Sequence, residues 1–206
     1  MAALKVTFCD EFGGGFGWIV DEFMQRCSHA LVRGRPRLGR SIPSTAKVSR
    51  SGSALRARRR ASSSCSTGTT ATAPRLAARL GVRHHIVPQE SLGPFAFIAV
   101  KNSRSWHEVA LWWPDRRVLV CADVLGTARY YRAGDERLAV HPVLRVRPPR
   151  RQLGALQPEV ILCGSRAKVS SKTPDAALRE ALSTSRRRIP GQAASALRAW
   201  RASRPS

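Results

Sequence analysis

Apolar and polar positions along the chain fall into three regimes. Between residues 4 and 32, short apolar runs alternate with a glycine-rich break. LKVTF reads as a strand, GGGFG (13–17) as a tight turn, and WIVDEFM and SHALV as the stretches that follow it. From 33 to 74 the pattern disappears, and no stretch with period 2 or 3.6 runs longer than one turn. That segment is built from Arg, Ser, Ala, Thr, Gly and Pro with no aromatic or acidic residue, so it buries too little apolar surface to offset chain entropy. Disorder is predicted there.

Order returns at 75. RLAARLGV (75–82) has the pattern of a helix with Gly81 as its C-cap, and HHIVP opens a strand. FAFIAV (95–100) and EVALWW (108–113) are strands, and Pro114-Asp115-Arg116-Arg117 turns the second into VLVCADVL (118–125) as a hairpin. PEVILCG (158–164) is a further buried strand, reached from a Pro-rich basic loop. Asp175 is placed to cap a helix over 176–188, whose arginines suit the carboxyl end of the helix dipole. After Pro190 the Ala, Ser and Arg tail is expected to fray. The resulting organisation is an N-terminal hairpin part (1–33), a basic low-complexity insert (34–74), the main body (75–189) and a disordered basic tail (190–206).

Charge sharpens this division. The chain carries a net +23, but residues 33–75 hold eleven basic residues and no acidic one, and no Asp or Glu occurs between Glu22 and Glu90. Overall composition, with 43% apolar and 24% charged residues, is ordinary for a globular domain. The N-terminus meets acid by Asp10 without an apolar h-region, which points away from a signal peptide, and no run approaches the ~20 apolar residues of a spanning helix. Five cysteines (Cys9, Cys27, Cys65, Cys121 and Cys163), odd in number and without CxxC spacing, fit reduced thiols in a cytoplasmic protein. Cys27-Ser28-His29 puts two metal-capable groups close together, but a buried thiol beside a surface His is the plainer reading.

The run EVALWWPDRRVLVCADVLGT (108–127), together with PEVILCGS (158–165), resembles the second half of a metallo-β-lactamase-fold hydrolase. In that family a strand of type VALYxP turns into LLFxGD, whose Asp binds metal, and a later strand ends in GHG, whose His is another ligand. DEFGGGFGWIVDEFMQRCSHALV resembles the family's opening strands, so that the likeness spans roughly 130 of the 206 residues. The fold implied is α+β: an αββα sandwich, incomplete here and carrying a disordered basic insert. Carried over residue by residue, Asp123 falls on the Asp of GD, with Ala122 for its Gly. Arg104 stands where a second-motif His is due, with His107 three residues away, and Ser165 stands in the His position after Gly164. The main HxHxDH motif, due near 65–73, is missing. One carboxylate of the set remains, so no cofactor is expected in this chain, and zinc or another divalent metal belongs to an intact relative.

The missing motif and the patternless segment coincide. Written in GC-rich codons and read from the third base of each triplet, residues 61–74 permit VVQLLDRHNRDCA, a buried strand followed by a polar His/Asp/Cys turn. The same offset permits W-x-V-D-P-I over Leu38–Ser44 and G-E-G-V over Ala167–Ser170. Residues 34–74 and 165–174 therefore read as out of frame. Even the restored string departs from HxHxDH in spacing and in Cys for His.

Three functions follow as alternatives. The resemblance implies a metal-dependent hydrolase of unknown small-molecule substrate, inactive as written because ligands are missing. The charge, with Arg56, Arg58, Arg59 and Arg60 at its centre, suits non-specific nucleic-acid or polyanion binding by counterion release, although residues 24–94 lack aromatics for base stacking. A non-catalytic ligand-binding module on the same fold is the third, with Tyr130, Tyr131, Arg132 and Asp135 as substrate-pocket candidates after the Asp123 loop. Trp106, Trp112 and Trp113 read as core and rim packing, and His84-His85 as surface. No membrane partner is expected.

Overall fold

A computed structural model describes residues 6–12, 15–20, 27–31, 61–64, 78, 81, 83–164 and 173–202. The N-terminal run forms an antiparallel meander of β1 (Val6–Phe12), β2 (Gly15–Val20) and β3 (Cys27–Leu31). Phe12 already pairs with Gly15, so the glycine run is shorter as a turn than its composition suggests, and Gly15 to Gly17 belong to β2.

The centre is a four-stranded sheet in the order β11-β8-β7-β6, formed by β6 (Ala96–Ser103), β7 (Trp106–Trp113), β8 (Val118–Cys121) and β11 (Val160–Cys163). The expected hairpin is present: β7 and β8 run antiparallel across a 3-10 turn at Pro114–Arg116, closed by Arg117 at φ 50. Arg117 also steadies the entry to β11. Its Nε donates to the Gln157 carbonyl at 2.7 Å and its Nη1 to Glu159 at 3.0 Å. β11 then lies parallel to β8, with Cys163 beside Cys121.

Alternation along these strands sorts the core into two layers. Ala110, Leu119, Cys121, Ile161 and Cys163 share one cluster with Leu153 of α1 (Arg150–Leu153) and Leu178 and Leu182 of α2 (Pro174–Thr184). Trp113, Val118 and Leu162 on the opposite face meet Phe12 and Leu31 of the meander, together with Phe95, whose ring stands edge-on to Trp113 at 5.1 Å. The meander is joined to the sheet by its backbone as well, the Cys27 N–H donating to the Gly164 carbonyl at 2.7 Å. Helices, sheet and meander stack as three layers of an α+β protein, with α1 and α2 on one face of the central sheet. A two-stranded antiparallel pair, β9 (Leu125–Gly126) and β10 (Ala139–Val140), is buried beside them.

Several sequence expectations change. Four residues of the segment read as disordered, Ala61–Ser64, form β4, which pairs in parallel with β5 (Arg83–Ile86). A parallel pair needs a crossover; of the helix expected over 75–82, helical Ala78 and Gly81, a turn residue at φ 63, are described, and the rest of that expectation lies outside the described residues. Local composition misses such pairing because the partner strand lies some twenty residues away. The remainder of 34–74, including Arg56, Arg58, Arg59 and Arg60, lies outside the described residues, as do Cys65 and Ser165. The tail read as frayed is instead α3 (Ile189–Ala202), which Gln192 ties to the body by donating to the Tyr130 carbonyl at 2.9 Å. Asp175 is not the cap of α2. Thr173 holds that position, Pro174 opens the helix, and Asp175 in the first turn pairs with Arg179 at 2.8 Å. The helix ends at Thr184, and the side chains of Arg186 and Arg188 beyond it reach the Val146 carbonyl and Asp135.

Candidate functional site

The strand WHEVALWW contains one acid, and alternation places it on the core face with Trp106 and Ala110. Glu108 is fully buried there. A carboxylate in such a place needs donors, and the chain supplies them by curling the backbone after β8 around it. Oε1 accepts the N–H groups of Ala122 (3.1 Å), Asp123 (3.0 Å) and Val124 (2.9 Å), and Oε2 accepts the Trp106 indole N–H at 3.1 Å. Burial nevertheless dominates. It pushes the Glu108 carboxyl from its ordinary 4.5 up to about 7, helped by the charge of Asp123 and opposed by the hydrogen bonds from Val124, Asp123 and Trp106.

Asp123 sits in this loop, half-buried, and its carbonyl accepts the Tyr131 hydroxyl at 2.8 Å. His141 closes the other side. Its N–H donates to the Val124 carbonyl at 2.9 Å, and its ring stands edge-on to Trp106 (4.9 Å) and Tyr131 (5.3 Å). Nδ1 accepts the Val143 N–H at 3.3 Å, which leaves the proton of the neutral ring on Nε2. Burial lowers the His141 pKa, and the neighbouring charge of Asp123 opposes that shift.

The carboxyl end of β11 arrives at the same place. Gly164 donates its N–H to the carbonyls of Cys121 (2.8 Å) and Ala122 (3.0 Å). A β-carbon at Gly164 would stand 2.5 Å from the Ala122 oxygen, so this approach requires glycine. Asp123, His141 and the strand end at Gly164 therefore meet at the carboxyl edge of the parallel pair β8 and β11, where open α/β sheets place ligands.

The substrate-pocket candidates that follow Asp123 mostly serve as framework. Tyr131 is buried, with its hydroxyl committed to the Asp123 loop. Its backbone carbonyl accepts Arg145 Nη2 at 2.7 Å. Tyr130 is half-buried, its ring 4.8 Å from that of Tyr131. Arg132 donates to the Glu136 carbonyl at 3.2 Å. Asp135 is exposed and pairs with Arg188 at 2.6 Å, which holds its carboxyl below the usual range. Beneath them lies an ion pair that the sequence did not announce. Buried Arg145 grips buried Glu136 through both nitrogens (3.1 and 2.6 Å), and Glu136 also accepts the Ala133 N–H at 2.6 Å.

Arg104 is exposed at the turn between β6 and β7, and His107, next to Glu108 on β7, belongs to the opposite face of the strand. Neither reaches Asp123 as a replacement ligand. Among the described residues, no group of three or more His, Cys, Asp or Glu side chains is placed to hold a metal. Glu108 has four N–H donors on its oxygens, so among the described residues Asp123 and His141 are the donors left at this edge. Zinc takes four ligands in structural sites and three protein ligands in catalytic ones, so the residues described do not fit it. Cys27, Cys121 and Cys163 are thiols rather than disulfide partners.

Two site residues escaped the sequence reading. Glu108 did carry a signal, an acid on the core-facing parity of an apolar strand. His141 carried none, since only the fold brings it back to Val124. Among the described residues, no helix is long and apolar enough to cross a membrane. No protein-family model, curated protein or solved structure matches the chain.

Proposed function

We propose that this chain is a metal-free derivative of a metallo-β-lactamase-like hydrolase, retaining part of the scaffold and having no hydrolytic turnover of its own. The observation that carries this reading is the contact of Gly164 with Ala122. It brings the end of β11 against the Asp123 loop, and these are two of the positions at which the resemblance sets ligands. Two sheets packed face to face with helices outside one of them is what an incomplete αββα sandwich would keep. The half-buried Asp123 and His141 offer two donors where the parent chemistry needs a converging set. The out-of-frame reading of 34–74 accounts for the loss of the rest, and resequencing the coding DNA across codons 30–78 and 160–178 would expose the inserted or deleted bases.

Titrating the full chain with Co²⁺ and Zn²⁺ tests the functional claim. No stoichiometric uptake and no visible bands of an ordered cobalt site are expected. One tightly bound equivalent that disappears in Asp123→Asn would overturn it.

A further inference from the structure

Away from the Asp123 edge, a cleft of about 470 Å³ is lined by Arg147, Pro148, Arg150, Arg151, Gln152 and Arg186. Four guanidinium groups share it, and among the described residues none of its lining is acidic. The fold uses two of them. Arg150 donates from Nε to the Leu182 carbonyl (2.9 Å) and from Nη2 to the Ser183 carbonyl (3.0 Å), capping the carboxyl end of α2. Arg186 donates from Nε to the Val146 carbonyl at 2.7 Å. These bonds hold both planar groups in place and leave their remaining N–H groups without a partner among the described residues. Arg147 and Arg151 are exposed and have no side-chain partner there at all. Four like charges in one concavity repel each other, and among the described residues two of them have no side-chain hydrogen bond or ion pair to offset that. Such a set is stabilised by an anion of several charges that accepts many N–H donors at once.

We infer that this cleft binds a compact oligophosphate, the chemical class of pyrophosphate, tripolyphosphate and the phosphate tail of a nucleoside triphosphate. Concavity favours a compact anion over an extended nucleic-acid strand, which takes a groove tracking many phosphates. The lining offers no aromatic ring for a base, so recognition resides in the phosphates, and ATP should bind no better than inorganic tripolyphosphate.

Calorimetric titration of the full chain with inorganic tripolyphosphate at fixed ionic strength is the test. Arg147→Gln with Arg151→Gln removes two sets of charge-assisted hydrogen bonds and should weaken binding about tenfold or more. Both side chains lack partners among the described residues, so the thermal transition should be unchanged. If the double variant loses that transition, the two single variants are read in the same way. A comparison variant, Arg56, Arg58, Arg59 and Arg60 all to Gln, should leave the affinity within about twofold, since it keeps all four cleft arginines. Equal losses in the two variants, or a loss confined to the comparison variant, would assign the binding to diffuse charge and overturn the proposal. So would a single-stranded oligonucleotide that competes tripolyphosphate off at equal phosphate concentration.

Discussion

Glu108 on β7 and Glu136 in the loop before β10 are both buried carboxylates, yet they are accommodated in different ways. Glu136 meets a cation: Arg145 grips both of its oxygens, and the pair is anchored to the Tyr131 and Ser185 carbonyls. Glu108 has four neutral N–H donors, three of them backbone groups of one turn. A buried charge can organise structure by two routes. A counter-charge joins distant segments, here the 131–145 loop and the end of α2. A fan of dipoles instead shapes one local loop, here the one carrying Asp123, and leaves the acid near its titration point. The two sites are one residue apart in space and chemistry, because Tyr131 gives its carbonyl to Arg145 and its hydroxyl to the Asp123 loop.

The largest effect should come from breaking the ion pair. Arg145→Ala leaves Glu136 buried without its cation, and the fold should lose about 3–5 kcal/mol, measured as the fall in urea midpoint. A loss below about 1 kcal/mol would mean that the site admits water and that the contrast with Glu108 is false.

Next comes the pH response of Glu108. Its pKa is raised from 4.5 unfolded to about 7 folded, so the native state holds the proton more tightly between those values. Its favourable contribution is therefore complete below pH 4.5 and lost as pH rises through 7. The cost above that window is about 3 kcal/mol by linkage. His141 works in the opposite sense: its lowered pKa makes the unfolded chain the better proton binder, so its contribution grows as pH rises toward its unfolded value. Urea midpoints from pH 4.5 to 8 in the parent and in Glu108→Gln separate the two. The variant should lose the decline and keep the His141 rise, and identical profiles would show that the four donors hold Glu108 ionised throughout.

A smaller change, Tyr131→Phe, removes the hydroxyl from the Asp123 carbonyl while keeping the backbone contact to Arg145. A cost of about 1 kcal/mol is expected. In a double-mutant cycle with Glu108→Gln the two effects should fail to add, since both act on one loop. The smallest effect belongs to Asp135→Ala. Asp135 and Arg188 repeat the chemistry of Glu136 and Arg145 at the surface, where water screens the pair, and the unfolding midpoint should not move measurably.

Local elements whose pattern is self-contained were legible along the chain. Alternation in EVALWW and VLVCADVL with Pro-Asp between them sufficed for the hairpin, although β8 closes early at Cys121, and PEVILCG sufficed for β11; Gly81, read as a helix C-cap, has the positive φ of such a position. Composition did not reveal the pairing of Ala61–Ser64 with Arg83–Ile86, because a strand is stabilised by a partner that local composition does not contain. The same limit applied to the tail. Ala, Ser and Arg after Pro190 looked unpartnered, while the structure has a helix there, tied to the body through Gln192. At the candidate site, the sequence put Asp123 inside a strand read as 118–125, whereas β8 ends at Cys121 and Asp123 lies in the loop after it. Only tertiary structure brought His141 and Gly164 to it, turned Tyr131 inward, and sent Asp135 outward to Arg188. It also decided which arginines are buried: Arg145 and Arg147 are two residues apart in a basic stretch, yet one is sealed inside and the other open to solvent. The physical reason is that periodicity reports which face of an element is buried, whereas the partner of a buried charge is chosen by long-range packing.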